Sequence, residues 1–228
     1  MGISERRERE KTERRRAILN CARELILSQG VEHVSMEDIA HKAELSKATL
    51  YLYFSKKEII FNEICEESAR VFMEHFNSFS ATGLTGVNAL KHFWGSYIKL
   101  FGNSDEMIVI FQIRNFLYPG LPFISFDGHS ASPSSDAILV AMKTIIDQCK
   151  SEGVFDPELD SNLAVGLLLS LFSAFVDKAA RLLTETGVSP GNRNRKTVIE
   201  EMTKSFQIIL RGFARQGIDF NCLDILAA

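Results

Sequence analysis

The sequence predicts an all-α protein of about nine helices. Only 5 of the 228 residues are proline, and no stretch alternates apolar and polar residues between turn signals as a β-strand does. Apolar residues instead recur every three to four positions along nearly the whole chain, which is typical of amphipathic helices. Because 46% of the residues are hydrophobic, these helices can bury a sizeable core.

The first helix is predicted from about residue 6 to 29. Its apolar face begins at Ala17 and Ile18, and Gly30 follows as a C-terminal stop. Its first turns interleave arginines with glutamates. We expect these charged turns to fray.

The next two helices predict a helix-turn-helix. The second starts at Ser35, where Ser35 and Asp38 resemble a capping box, and the third starts at Ser46. The connection between them is so short that the two helices must cross at a steep angle. In the third helix, Leu50 and Phe54 point to one side while Lys47, Tyr51 and Tyr53 stay near the surface. This helix is therefore predicted to present a surface to a partner.

The remaining helices follow from the same periodicity. A long fourth helix is predicted from Ser55 to about residue 80. Five more are predicted at about 87–102, 105–117, 134–152, 160–185 and 195–216. The irregular stretch 118–135 is long enough to predict a functional loop or a pocket cover.

Charge and cysteine content exclude several classes of protein. Through Lys57 the chain has 12 Lys and Arg against 9 Asp and Glu, whereas the remainder has 14 against 20. This asymmetry predicts a basic front end and a neutral-to-acidic body. The four cysteines lack metal-ligand spacing, which favours reduced thiols in the cytoplasm, with neither disulfides nor a metal site. The charged N-terminus is unlike a signal peptide, and the longest apolar run, 163–176, is too short to span a bilayer.

Motifs of catalytic sites are missing from the sequence. It contains no nucleophile elbow, no glycine-rich phosphate loop and no zinc-binding helix of the H-E-x-x-H type. We therefore expect a protein that is not an enzyme and needs no cofactor.

The second half of the chain predicts a site for a small hydrophobic effector. An apolar cavity with few polar groups suits such a ligand, although aromatic stripes are also typical of an ordinary core. Arg114 suits an acidic group of the effector or an internal carboxylate such as Asp105 or Glu106. The candidate pocket residues are Phe93, Trp94, Tyr97, Phe101, Met107, Phe111, Arg114, Phe116 and Met142, with Gln112 nearby in sequence.

The apolar run 163–176 predicts either a buried helix or a contact between two copies of the chain. It is apolar on every face, so it has more apolar surface than the core of a single protomer can bury. Gly166, Ser170 and Ala174 are spaced by four and would let two helices approach closely. These residues are the candidate dimer interface.

The run 35–60, SMEDIAHKAELSKATLYLYFSKKEII, resembles the DNA-binding region of the tetracycline-repressor (TetR) family of bacterial transcription regulators. Two positions depart from the family pattern, since Glu44 and Ala48 stand where glycine is common. Glu44 is expected to adopt a positive φ at some strain, and the methyl group of Ala48 can contact a thymine methyl group. The matching residues are Asp38, Ile39, Ala40, Ser46, Thr49, Leu50, Tyr51, Tyr53, Phe54, Lys57, Glu58 and Ile60.

The resemblance implies a DNA-binding domain over residues 1–55 and an effector-binding and dimerisation domain over 56–228. It further implies a homodimer on a palindromic operator in double-stranded DNA, most often a repressor, that its effector releases. By matching position, the implied base contacts are Lys47, Ala48 and Glu37. The implied phosphate contacts are Ser35, Ser46, Thr49, Tyr51, Tyr53 and Lys57. The alternative is an all-α carrier of hydrophobic ligands that does not bind DNA. Such a carrier would have no need for the set formed by Lys47, Tyr51, Tyr53 and Lys57.

Overall fold

The computed structural model describes residues 3–79, 83–103, 105–118, 133–186 and 192–218. Within them, the predicted all-α fold is confirmed. In chain order, the helices are α1 (Ile3–Gln29), α2 (Met36–Lys42), α3 (Lys47–Tyr53), α4 (Lys57–Phe79), α5 (Gly86–Asn103), α6 (Glu106–Leu117), α7 (Pro133–Ser151), α8 (Ser161–Thr186) and α9 (Asn192–Phe213). A short 3₁₀ helix, Val31–His33, lies between α1 and α2.

The predicted helix boundaries lie close to the observed ones. The largest differences are the start of α1 at Ile3 and the position of α9, which is shifted toward the N-terminus. The prediction that the first turns of α1 fray is wrong. They are helical, and pairs four residues apart, such as Arg6 with Glu10 at 2.8 Å, follow one edge of the helix. Most of the predicted loop 118–135 lies outside the described residues.

A first hydrophobic core holds α1, α2 and α3 together. Helix α4 contributes its first turns to this core, and α6 contributes Val109 and Ile113, both fully buried. The other fully or almost fully buried side chains in it are Ile18, Leu19, Ala22, Ile26, Val34, Ile39, Ala40, Leu50, Phe54, Ile60, Phe61 and Ile64. The three N-terminal helices are therefore packed not only on one another and on α4 but also on two residues of α6.

A second core lies among α4, α5, α6, α7, α8 and α9. Its centre is aromatic, with Trp94 stacked on Phe206 at 4.2 Å between ring centroids and Tyr97 stacked on Phe172 at 4.4 Å. Burial of such large side chains is the main source of stability for a bundle of this kind.

The start of α5 touches the end of α7. A Cβ atom at Gly86 would lie 2.8 Å from the backbone nitrogen of Cys149 and 2.7 Å from its Sγ atom. The backbone nitrogen of Gly86 donates to Glu152 at 2.8 Å. Glycine is thus the residue that lets α5 begin against α7.

Candidate nucleic-acid interface

Helix α2 begins with a capping box, as the sequence predicts. The Asp38 backbone N–H donates to the Ser35 hydroxyl at 3.1 Å, and the Ser35 backbone N–H donates to the Asp38 carboxylate at 2.9 Å. Hydrogen bonds from the Ser35 hydroxyl and, secondly, from its backbone N–H lower the pKa of Asp38. Ile39 and Ala40 face the first core, so the inner side of α2 is fixed.

The turn between α2 and α3 is a Schellman motif. The Leu45 N–H donates to the Ala40 carbonyl at 2.9 Å, and the Glu44 N–H donates to the His41 carbonyl at 3.1 Å. Glu44 has a φ of 55°, which confirms the predicted positive φ at this position. Among the described residues it is the one non-glycine residue with a positive φ. Helix α3 therefore leaves the turn in a fixed direction, with local strain at Glu44.

Helix α3 is anchored by its inner face. Ser46 is the N-cap and accepts from the Thr49 backbone N–H at 3.0 Å, while the two hydroxyl oxygens lie 2.7 Å apart. Leu50 is 0% exposed and Phe54 is 1% exposed in the first core. These two side chains anchor α3 in the first core, as the sequence predicts.

A second anchor fixes the C-terminal end of α3. The guanidinium of Arg15 lies 4.1 Å from the centre of the Phe54 ring and donates to the Tyr53 carbonyl at 3.1 Å. Arg15 also pairs with Glu63 on α4. The hydrogen bond to Glu63 raises the pKa of Arg15, because it outweighs the opposite effect of burial. Three helices, α1, α3 and α4, thus meet at one arginine.

The outer face of α3 is exposed and carries the predicted base contacts. Lys47 and Ala48 are exposed, and Tyr51 retains 47% of its accessible surface. The Lys47 ammonium pairs with Glu37 on α2 at 3.1 Å, so the structure brings two of the predicted base contacts together. Leu52, which the sequence interpretation passed over, is also exposed on this face.

The predicted phosphate contacts fall into two groups. Ser35, Ser46 and Tyr51 are exposed, whereas Thr49, Tyr53 and Lys57 are half-buried. Lys57 already donates to the Val34 carbonyl at 2.8 Å, and its ammonium lies 4.7 Å from the centre of the Phe116 ring. An ammonium group has three protons, so Lys57 retains donors for a second partner. The phosphate role of these residues stays a prediction.

A cluster of charged side chains joins this region to α6. Arg23 on α1 donates to Glu106 at 3.0 Å and to Glu67 on α4 at 2.8 Å, and Ser68 donates to Glu106. Burial opposes the charge of Arg23, but the two carboxylates outweigh it and raise its pKa. Sequence interpretation missed this cluster because its members lie far apart in the chain.

Gln112 also contributes to this contact between α6 and the N-terminal helices. Its side-chain oxygen accepts from the Val31 backbone N–H at 3.2 Å. Helix α6 therefore contacts the N-terminal helices through two polar side chains, Gln112 and Glu106. It also contributes Val109 and Ile113 to the first core.

The predicted effector residues do not all lie together. Five of them belong to the second core, namely Phe93, Trp94, Tyr97, Phe111 and Met142. Contrary to the sequence-based grouping, Phe116 packs in the first core, with its ring 5.8 Å from that of Phe61. Arg114 is half-buried, and burial lowers its pKa. The side chains of Phe101 and Met107 lie outside the described part of the chain.

The Tyr97 hydroxyl stands out within the second core. The Tyr97 side chain is 7% exposed, and its hydroxyl has no hydrogen-bond partner in the part of the chain that the structure describes. Burial raises its pKa. A buried hydroxyl without a partner destabilises the fold, so a ligand that supplies a hydrogen bond would gain binding energy here.

The candidate dimer residues lie along one side of α8. Ser170 and Ala174 are exposed, and Gly166 is half-buried. Leu163 and Leu167 continue the same side and retain 52% and 46% of their surface. Residues on the opposite side, such as Leu168 and Phe172, are buried in the second core. The apolar run 163–176 thus has one side in the core and one side exposed.

The described residues contain neither a membrane-spanning helix nor a metal-binding cluster. No helix among them is long and apolar enough to cross a lipid bilayer. Nor do they contain a cluster of three or more His, Cys, Asp or Glu side chains with the geometry of a metal site.

Comparison with known proteins points to one family. Residues 18–64 match the family model described as bacterial regulatory proteins, tetR family. This segment contains the C-terminal part of α1, all of α2 and α3, and the first turns of α4. No curated protein sequence matches the chain.

Solved structures share the fold over most of the chain. A gamma-butyrolactone receptor, described as ArpA-like, has a TM-score of 0.66 at 15% identity, with 96% of each chain covered. The fatty acid degradation regulator FadR from Bacillus halodurans has a TM-score of 0.62 at 18% identity, over 89% of this chain and 97% of the other. A ketosteroid transcriptional regulator of Mycobacterium tuberculosis has a TM-score of 0.57 at 17% identity, over 89% and 96%.

At sequence identities of 15–18%, the similarity to these solved structures shows the fold alone. The match to the family model covers α2 and α3 together with the adjoining parts of α1 and α4. The geometry agrees, because α3 turns an exposed face outward from two buried anchors. On these grounds residues 18–64 form a helix-turn-helix similar to that of the tetR family of bacterial regulatory proteins, and the chain shares its fold with solved transcription regulators.

Proposed function

We propose that the chain represses transcription by binding a palindromic operator as a homodimer, and that a small hydrophobic effector releases it. The observation that carries the DNA-binding part is the contrast between the two faces of α3. Leu50 and Phe54 are buried, whereas Lys47, Ala48 and Tyr51 are exposed although they contribute nothing to the core. A recognition helix needs this arrangement, because a fixed inner face lets the outer face enter the major groove.

In this proposal the residues of the interface divide into two roles. Lys47, Ala48 and Glu37 contact base edges, and the ion pair between Lys47 and Glu37 opens or rearranges on the DNA. The hydroxyl and ammonium groups that hold phosphates fix the register without reading sequence. They belong to Ser35, Ser46, Thr49, Tyr51, Tyr53 and Lys57.

The homodimer is proposed from the exposed side of α8. Gly166, Ser170 and Ala174 allow close approach of a second helix, and Leu163 and Leu167 supply apolar surface that is otherwise left in water. A two-fold axis through such a contact presents two copies of α3 to successive major grooves. The operator is therefore proposed to be palindromic, with residues 1–55 as the DNA-binding domain and 56–228 as the rest.

The effector is proposed to be hydrophobic with one hydrogen-bonding group. The second core is aromatic at its centre, and the Tyr97 hydroxyl is a buried polar group that lacks a partner among the described residues. The names of the fold neighbours refer to a gamma-butyrolactone, a ketosteroid and fatty acid degradation. These are small, mostly apolar molecules or their metabolism, and they support the same chemical class for this chain.

Helix α6 is the proposed connection between the two sites. Phe111 reaches the second core, while Val109 and Ile113 lie in the first. An effector that displaces α6 would disturb the Arg23 to Glu106 contact and the packing below α3. The spacing of the two recognition helices would then change, and the DNA would be released.

Selection of bound duplexes from a random pool tests this function. We expect the purified protein to enrich a palindrome at moderate salt, the Tyr51→Ala variant to bind it more weakly, and the Lys47→Ala variant to change the preference at one base. Lys143→Ala, which removes an exposed lysine from α7, is the matched control and should leave both affinity and preference unchanged. If no sequence is enriched, the carrier of hydrophobic ligands becomes the better interpretation.

A further inference from the structure

Leu52 is the most exposed large apolar side chain in the part of the chain that the structure describes. It retains 84% of its accessible surface, compared with 68% for Ile208 and 64% for Val140. Single exposed leucines are common and need no explanation elsewhere on a protein. This one lies on the outer face of the helix through which the protein meets DNA.

The helical period places Leu52 beside Ala48. The two residues are four apart, so their side chains are neighbours along one strip of α3, and Lys47 and Tyr51 form the adjacent strip. Leu50, which is fully buried, lies on the opposite side of the helix. The exposed face of α3 is therefore divided lengthwise into a polar strip and an apolar strip.

The length of α3 keeps the whole of this strip within reach of base edges. Its seven residues span about 10 Å at the usual rise of an α-helix. A recognition helix lies in the major groove, and the rise from Ala48 to Leu52 is about 6 Å, which is less than two base-pair steps of about 3.4 Å each. Leu52 at the end of the helix can thus lie over bases as well as Ala48 at its start.

We propose that Ala48 and Leu52 together contact the C5 methyl groups of thymines, so that Leu52 specifies an A·T pair in each half of the operator. The thymine methyl is the one apolar group that a base pair presents in the major groove, and burying a leucine against it removes both from water. A polar strip alone would read donors and acceptors but would not distinguish thymine from uracil. The inference rests on the proposed function, because it concerns the same recognition helix.

Replacement of thymine by deoxyuridine tests the inference, since the two bases differ only in the methyl group. Each thymine of the selected duplex is replaced in turn, and the Kd of the full-length protein is measured by fluorescence anisotropy. We expect one replacement per half-site to weaken binding of the unaltered protein by about four-fold, the effect of one methyl group left in water. In the Leu52→Ala variant the same replacement should have no effect.

Two controls separate this contact from a general loss of binding. Val140→Ala, which trims an exposed apolar side chain on α7, should retain the full thymine preference. Leu52→Ala should also leave the dependence of log Kd on log salt unchanged, because it removes no phosphate contact. Lys47→Ala, in contrast, removes a charge next to the DNA and should make that dependence shallower.

The outcomes are distinguishable from failure of the proposed function. If no duplex is enriched, the proposed function fails and this inference fails with it. If a duplex is enriched but no thymine replacement matters, or if Leu52→Ala and Leu52→Gln keep the preference intact, only the role of Leu52 is overturned. Loss of one thymine preference in both Leu52 variants supports it.

Discussion

Arg23 on α1 donates to Glu106 at the start of α6, and the two residues are separated by 83 positions in the sequence. The Nε to Oε1 distance is 3.0 Å, and only 15% of the Arg23 side chain is exposed. Glu67 accepts from the same guanidinium, so two carboxylates share one cation. This contact fixes the helix that precedes the DNA-binding motif against the helix that reaches the second core.

Arg23→Ala should lower the free energy of unfolding by about 1–3 kcal/mol, because it leaves Glu67 and Glu106 poorly hydrated and without their cation. Urea denaturation followed by circular dichroism measures the change. Arg70→Ala is the matched control, since Arg70 forms an exposed pair with Glu74, and such pairs contribute less than about 1 kcal/mol. Equal effects of the two variants would contradict a structural role for the cluster.

Glu44→Gly should stabilise the protein by about 0.5–1 kcal/mol. Glu44 has a φ of 55°, a region in which a side chain is strained and glycine is not. Thermal unfolding shows the gain as a higher Tm. Glu44→Ala keeps a Cβ atom at the same φ and should change stability much less, which separates backbone strain from loss of the carboxylate. A gain of the same size in both variants would speak against strain.

Gly86→Ala and Gly95→Ala should have opposite effects although both lie in α5. The new Cβ atom at Gly86 would lie 2.8 Å from the backbone nitrogen of Cys149, and overpacking of this kind costs about 1–3 kcal/mol. At Gly95 nothing lies within 4 Å of the added atom, so the higher helix propensity of alanine should stabilise by about 0.5–1 kcal/mol. Urea midpoints of the two variants on either side of the parent value would confirm the close approach of α5 and α7.

Tyr97→Phe should make the free protein more stable, because it removes a buried hydroxyl that has no partner in the described structure. The expected gain is about 1 kcal/mol or more. The same variant should respond less to a hydrophobic effector, measured as the rise in Tm on adding the ligand. Tyr51→Phe is the matched control, since Tyr51 retains 47% of its accessible surface and lies outside the second core. A lower stability of Tyr97→Phe would show that the hydroxyl is bonded in the folded protein.

The local parts of the interface were predictable from the sequence. Ser35 and Ser46 cap their helices through residues three positions away, and Glu44 ends α2 in a positive φ. Each of these features is decided by neighbours within one turn of helix, which a single sequence contains in full. Leu52 was also within reach, because the period that buries Leu50 turns Leu52 outward.

The long-range contacts were not predictable in the same way. Gln112 was grouped with the effector residues, yet it accepts from Val31, 81 positions earlier. Phe116 was assigned to the same pocket but packs on Phe61. Hydrophobic periodicity shows which face of a helix is buried, but it does not show which partner covers that face. The three-dimensional packing of α6 is needed to tell which of its residues face the first core and which face the second.

The presence of Val109 and Ile113 in the first core limits how far this protein can be taken apart. Residues 1–55 excised alone would lose the α4 and α6 side chains that complete the first core, so we expect the fragment to be less ordered than the intact chain. A hybrid regulator that joins this helix-turn-helix to a foreign second half must import matching side chains at 109 and 113. The unit that evolution or an engineer can exchange is thus the motif together with the start of α4 and the face of α6 that packs on it.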